Sequence, residues 1–306
     1  MRITLIMLSL SMFLFWSCSN DDTPTQNQPP STSSITLNIN GLEDLGSTAK
    51  YEGWIIVPTL SKTNNTAEDM PVSTGTFTVS SSGTLNQTEF NVDAMDLSNA
   101  TAFVLTIEPN PDPDPNPSAT HILAGNFNGA TANLSISHPA ALGDDFSSSS
   151  GTFILATPTD GAMTNENSGL WFLDLSSGSP AHGLFLPTLP SGWKYEGWAV
   201  INGTPVTTGK FTSTTQVDES DPYSSTQPGP PFPGEDFLIN APSGLTFPTD
   251  ISGGKAVITI EPDPDNSQAP FTLKPLVGDI PMNATDHTNY VMSLNNPSFP
   301  TGIATR

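Results

Sequence analysis

The sequence predicts an all-β protein made of two β-sandwich domains in tandem. Three observations carry this. First, the chain repeats itself: Tyr51-Glu52-Gly53-Trp54 returns as Tyr195 to Trp198, Pro71-Val72-x-x-Gly75-x-Phe77 as Pro205 to Phe211, and Thr106-Ile107-Glu108-Pro109 as Thr259 to Pro262. Three motifs in one order mark a duplicated domain. Second, no run of twelve residues has the i, i+3, i+4 apolar spacing of a helix. Third, short Val/Ile/Phe-rich segments are separated by turn chemistry, the pattern of a sandwich.

The elements follow in order. Ile3 to Trp16 is an apolar run of fourteen residues behind Arg2. It falls short of the about 20 needed to span a bilayer and fits a signal peptide over 1–17. Leu14-Phe15-Trp16-Ser17-Cys18 resembles a bacterial lipobox, which implies cleavage before Cys18 and lipid on that cysteine. Cys18 is the sole cysteine, so no intrachain disulfide or cysteine-based zinc site is available. Ser19-Asn20-Asp21-Asp22 resembles the acidic surface-export signal of Bacteroidetes lipoproteins, and residues 18–34 read as the lipidated cysteine and a flexible tether.

Repeat 1 is expected over 35–146. Ile35, Leu37 and Ile39 alternate with polar neighbours as in a half-buried strand. Tyr51 to Val57 is a mostly apolar strand. Gly75 to Val79 is expected to enter its strand through a Thr-Gly turn. Asp93 is placed to cap a short helical turn before Ala102. Ala102 to Glu108 ends at a proline, which cannot donate to a ladder, and Ile122 to Phe127 follows. Repeat 2 is expected over 147–306, the boundary falling in the serine run 147–150. Phe153 to Ala156, Leu170 to Leu173 and Gly183 to Leu189 would open it. Trp193 to Ile201 is joined by Asn202-Gly203, a strong hairpin signal, to the strand holding Gly209. Ala256 to Glu261 and Phe271 to Val277 complete it. Repeat 2 also carries a Pro/Gly/Ser-rich loop, 218–236, that repeat 1 lacks.

The order Tyr-x-x-Trp, Pro-Val-x-x-Gly-x-Phe, then a strand ending in Glu-Pro resembles the extracytoplasmic domain of anti-sigma-K (RskA-type) factors, over Tyr51–Phe127 and Tyr195–Gly278. The resemblance implies a β-sandwich outside the cytoplasm. Such factors also carry a cytosolic zinc-binding helical domain and a transmembrane helix. Only seventeen residues precede Cys18 here, so sigma-factor binding is not what the likeness implies.

Tyr51, Trp54, Gly75, Glu108, Tyr195, Trp198, Gly209 and Glu261 are the recurring motif residues, expected to be structural. Both sides of the tryptophan strands look buried, so alternation does not assign their faces; a large ring is expected in the inter-sheet core. Glu52 and Glu196 are expected on the opposite pleat, facing solvent or capping a neighbouring strand. Glu108 and Glu261 are placed to accept N–H groups of the loops after them. Asp112 and Asp114, with Asn116, are weak candidate Ca²⁺ ligands at i, i+2, i+4. They lack the glycine turn and later glutamate of an EF-type loop, and proline alternation favours polyproline II, so no metal is expected. Asp263-Pro264-Asp265 reads the same way. Gly143 to Phe146 and Gly234 to Phe237 read as turns with an anchoring phenylalanine.

Net charge is −22, from 8 basic and 30 acidic residues. A surface this acidic repels phosphate backbones, which excludes nucleic acid as a partner. The histidines form no metal motif, and no nucleophile elbow, phosphate loop or dinucleotide fingerprint is present. The expectation is a lipoprotein of the outer membrane or cell surface that is not an enzyme and takes no cofactor. It would act in binding, structure or envelope sensing. Its partners would be the membrane, through the lipid, and an envelope protein or glycan. A glycan-binding accessory lipoprotein is the alternative, and exposed tryptophans would favour it.

Overall fold

The computed structural model describes residues 31–60, 67–265 and 267–306. Cys18, the signal segment, nearly all of the tether and the hairpin tip at 61–66 lie outside these. The protein is nearly all β. The first copy holds β1 (Thr32–Asn40), β2 (Ala49–Leu60), β3 (Ala67–Phe77), β4 (Glu89–Asp93), β5 (Ala102–Pro109), β6 (His121–Asn128) and β7 (Thr131–Leu134). Then come β8 (Ser150–Phe153), β9 (Gly169–Trp171), β10 (Leu173–Asp174), β11 (Ala181–His182), β12 (Leu184–Phe185), β13 (Trp193–Ile201) and β14 (Thr204–Phe211). The chain ends with β15 (Gly234–Asp236), β16 (Lys255–Pro262), β17 (Leu276–Asp279), β18 (Tyr290–Leu294) and β19 (Thr301–Thr305). The strand at 32–40 starts three residues earlier than the tether reading allowed. One short helix, α1 (Ala94–Asn99), is capped as expected: the Asp93 carboxylate accepts from the N–H groups of Met95 and Asp96.

Two antiparallel sheets form the body, in the orders β3-β2-β5-β6-β7-β19-β1-β4 and β14-β13-β16-β17-β18-β8-β12. Read side by side, they match strand for strand from β3/β14 through β7/β18, and β1 matches β12. The strand between the last two positions comes from the other copy. β8, which follows β7 in the chain, inserts between β18 and β12 in the second sheet. β19, which follows β18, inserts between β7 and β1 in the first. The copies have exchanged strands reciprocally. The division at 147 therefore misplaces the C-terminal strand, which belongs to the first sheet. Glycine marks both inserted strands at one position. Gly151 lies opposite Leu184 and Met292, and Gly302 lies opposite Ile39 and Leu134. A Cβ on Gly151 would fall 2.7 Å from Met292 Sδ, and one on Gly302 would fall 2.7 Å from Ile39 Cγ1.

One continuous core runs through both copies, from Ile35, Tyr51, Phe77 and Phe103 to Tyr195, Phe211, Ile258 and Leu276. The first sheet curls until β4 returns to β3, with Phe90 and Phe77 ring centroids 6.0 Å apart. Tyr51 stacks on Phe77 at 5.5 Å and Tyr195 on Phe211 at 5.6 Å. Asn202 and Gly203 both take positive φ, 51° and 83°, and close the β13–β14 hairpin as their dipeptide predicts. The Thr-Gly pairs are bulges inside β3 and β14 rather than entry turns. Gly75 and Gly209 have φ of 123° and 109°, and the register slips opposite Gly53/Trp54 and Gly197/Trp198. Two expected strands shrink: Phe271 to Val277 is ordered as strand only from Leu276, and Gly183 to Leu189 only at β12. Prolines and the crossing of the two copies interrupt pairing there.

Candidate functional site

The motif residues assemble one network twice. Glu52 pairs with Thr106 and Trp54 with Val104 across β2 and β5, which places Glu52, Trp54, Thr106 and Glu108 on one sheet face. Trp54 Nε1 donates to Thr106 Oγ1 at 2.9 Å, and the Thr106 hydroxyl donates to Glu108. Trp198 Nε1 donates to Thr259 Oγ1 at the same 2.9 Å, beside Glu261. Trp54 is 4% exposed and Trp198 2%. Both are buried, but not in the inter-sheet core. Trp54 lies on the opposite face, where Ala124, Val104 and Ala141 cover it. Glu52 and Glu196 share that face with the tryptophans and are buried, which corrects their expected place on the opposite pleat. Residue i+2 along a strand returns to the same face. Ser73 donates to Glu52 and Thr207 to Glu196.

Glu108 and Glu261 close the loops that follow them. Ser118 N–H donates to Glu108 at 2.9 Å and Phe271 N–H to Glu261 at 2.9 Å. Gly53 and Gly197 are required by packing: a Cβ would sit 2.8 Å from the Phe103 ring or 2.6 Å from the Phe172 ring. Each of these contacts lies within the sheet or closes its own loop. The half-buried Asp112 and the exposed Asp114 accept the N–H groups of Asp114 and Asn116, in turns of their own loop.

Two of the differences between the copies bear on a site. The first is the network itself. Glu196, Glu261 and Asp265 each bring a carboxylate oxygen within 4.8 Å of the others, the one such group of possible metal ligands among the described residues. Burial raises Glu196 and lifts Glu261 to about 7.

The second is the loop 218–236. It wraps Trp171, whose ring is approached by Gly229 on one side and Gly234 on another; a Cβ on either would lie 2.4 or 2.6 Å from the indole. Trp171 Nε1 donates to Asp236 Oδ1 at 2.7 Å, and Thr159 N–H donates to Asp236 Oδ2 at 2.8 Å. Glu235 accepts from Ser224 Oγ and the Tyr223 N–H. Glu235 and Asp236 are fully buried strand residues of β15, not the turn that their Gly-acid-acid-Phe pattern suggested. Burial pushes Glu235 up to about 8 and Asp218 up to about 7. Above this floor opens a cleft of about 290 Å³ lined by Asp218, Glu219, Asp221, Pro228, Phe232 and the edge of Trp171. A second, more polar cleft of about 370 Å³ holds Asn165, Glu166, Asn167, Asp250 and Asp286. Asn165 and Glu166 sit at a short 3₁₀ turn in the loop between Ile154 and Trp171, which bridge antiparallel.

No family model matches the chain, and neither a curated protein nor a solved structure shows significant similarity to it.

Proposed function

We propose that the chain is a non-enzymatic, lipid-anchored protein of the outer membrane or cell surface, acting by binding through the cleft over Trp171. The apolar run ending at Cys18 supports the anchor, and the likeness of the motif order to RskA-type outer modules supports an extracytoplasmic binding or sensing role without sigma-factor contact. One observation carries the choice of cleft: the motifs that recur are consumed by the fold, whereas the loop 218–236 is built only in the second copy. Against hydrolysis, the adjacent acids Glu235 and Asp236 are turned inward onto Ser224, Thr159 and Trp171 and do not reach the cleft. Against a glycan platform, Trp54, Trp171 and Trp198 are all about as buried as core residues.

The test immobilises residues 23–306 and exposes them to solubilised envelope of the source cell. The loop-bearing chain should retain a partner that a chain with 219–231 replaced by a short Gly/Ser turn does not. Equal capture by both sinks the cleft, and glycan hydrolysis abolished by Asp218→Asn sinks the non-enzymatic reading. Palmitate-analogue labelling that survives Cys18→Ala would remove the anchor.

A further inference from the structure

We propose that the second copy binds one Ca²⁺ between Glu196, Glu261 and Asp265. Three carboxylate oxygens lie mutually within 4.8 Å, so a point among them lies no more than about 2.8 Å from each, and a small closing of the side chains brings all three to the roughly 2.3–2.6 Å typical of Ca²⁺–oxygen bonds. All three groups are out of solvent: Glu196 is 4% exposed, Glu261 1%, and the Asp265 side chain 5%.

A buried carboxylate oxygen without a partner is costly and needs an explanation. Glu196 has one. Its Oε1 accepts from Thr207, while its Oε2 has no hydrogen-bond partner although it is buried. That free oxygen belongs to one of the clustered carboxylates. Charge points the same way. Lys210 Nζ bonds Asp265 at 2.9 Å, and Lys274 faces Glu261 and Glu43. With all four carboxylates ionised, as a bound metal would require of its ligands, the two ammonium groups leave two negative charges, which one divalent cation balances. The donors are all oxygen, the chemistry of a hard cation rather than of zinc. Asp265 also lines a cleft of about 300 Å³ between the copies, with Glu43 and Pro262, which gives an ion a way in.

The first copy is an internal control. Glu52 and Glu108 occupy the places of Glu196 and Glu261, yet neither has an unpartnered buried oxygen and no third carboxylate joins them. Thr76 stands where Lys210 stands.

The experiment uses residues 23–306, stripped with EDTA and dialysed. Calorimetric titration with CaCl₂ should show one site per chain and a raised melting temperature. Tb³⁺ should take the same site and luminesce on excitation of the neighbouring indole of Trp198. Glu196→Gln and Asp265→Asn should each weaken binding at least about tenfold, and Glu52→Gln should leave it unchanged. Should Glu196→Gln fold poorly, the wild-type titration decides alone. Absence of Ca²⁺ binding at millimolar concentration overturns the proposal. So does binding that Glu196→Gln and Asp265→Asn leave intact. A Glu196→Gln protein more stable than the metal-free wild type, with no Ca²⁺ response in either, would assign the cluster to shared protons instead.

Discussion

Removing residues 301–306 should open the first sheet, because among the described residues β19 is the strand that joins β1 and β4 to the rest of it. β19 holds five register positions with β1 and four with β7. At about one backbone hydrogen bond per position and a net ~0.5–1.5 kcal/mol each, the ladder contributes roughly 5–14 kcal/mol. The Arg306 guanidinium adds bonds to the carbonyls of Leu97 at 2.8 Å, Ala100 at 2.7 Å and Gly129 at 3.1 Å, and it lies 4.4 Å from the centre of the Phe127 ring. A domain is typically stable by only about 5–15 kcal/mol, so the loss is comparable to the whole. The truncated chain should lose its cooperative urea transition in the first copy, followed by far-UV circular dichroism. A synthetic peptide of residues 299–306 should restore it by adding the missing strand. The same peptide with Ala304→Asp should fail, since Ala304 is 0% exposed. A truncated chain that unfolds at the wild-type urea midpoint would refute the strand exchange.

The Trp54–Thr106–Glu108 chain is tested by a double-mutant cycle. Thr106→Val leaves the Trp54 N–H without its acceptor and Glu108 short of a donor, at about 2–5 kcal/mol. Combined with Trp54→Phe it should cost at least about 1 kcal/mol less than the sum of the single changes by urea denaturation, and additivity would show that the network is not coupled. Gly197→Ala should destabilise by about 1–3 kcal/mol, because its Cβ would lie 2.2 Å from Thr208 Oγ1 and 2.6 Å from the Phe172 ring; an unchanged midpoint would mean that the sheet yields there. Glu235 supplies a pH dependence. Its folded pKa of about 8 exceeds the ordinary 4.5, so the folded state holds a proton that the unfolded state releases. That contribution is fully present below about pH 4.5 and is lost as pH rises through about 8. The melting temperature should fall over that window, and by less in Glu235→Gln; equal slopes would remove Glu235 as a cause.

The duplication, the Asn-Gly hairpin and the Asp93 cap were legible because each is written in neighbouring residues. Pairing partners are not. β8 and β19 are short and carry a glycine, so their local pattern does not say which sheet receives them. A signal did exist: Ser150-Gly151 and Thr301-Gly302 are a matched pair following each copy's last motif strand. The face of Trp54 was illegible because β2 is covered on both sides, by the main core and by the segment around Ala141, so apolar residues face both ways. The acidic group in the second copy was underread. Asp265 sits in a proline-rich loop like Asp112, and what separates them is Lys210, a lysine at a motif position that holds threonine in the other copy.

The exchange also bears on where the two copies are free to differ. Each sheet is completed by a strand that arrives from the far side of the other copy, and one core passes through both. A substitution in an exchanged strand therefore bears on the sheet of the other copy as well as on the common core. The Tyr-Glu-Gly-Trp strand, the Thr-Gly bulge and the Glu-Pro strand end meet the same packing demands in each copy, and all three recur with small changes. The loops carry no such double duty. The β2–β3 hairpin lengthened in the first copy, and the loop around Trp171 was built in the second. Lys210 and Asp265 stand at the rim where β14 and the loop after β16 meet. Divergence has collected at positions that the exchanged frame does not hold: the cleft lies wholly among them, and the proposed Ca²⁺ site adds two of them, Lys210 and Asp265, to the recurring Glu196 and Glu261.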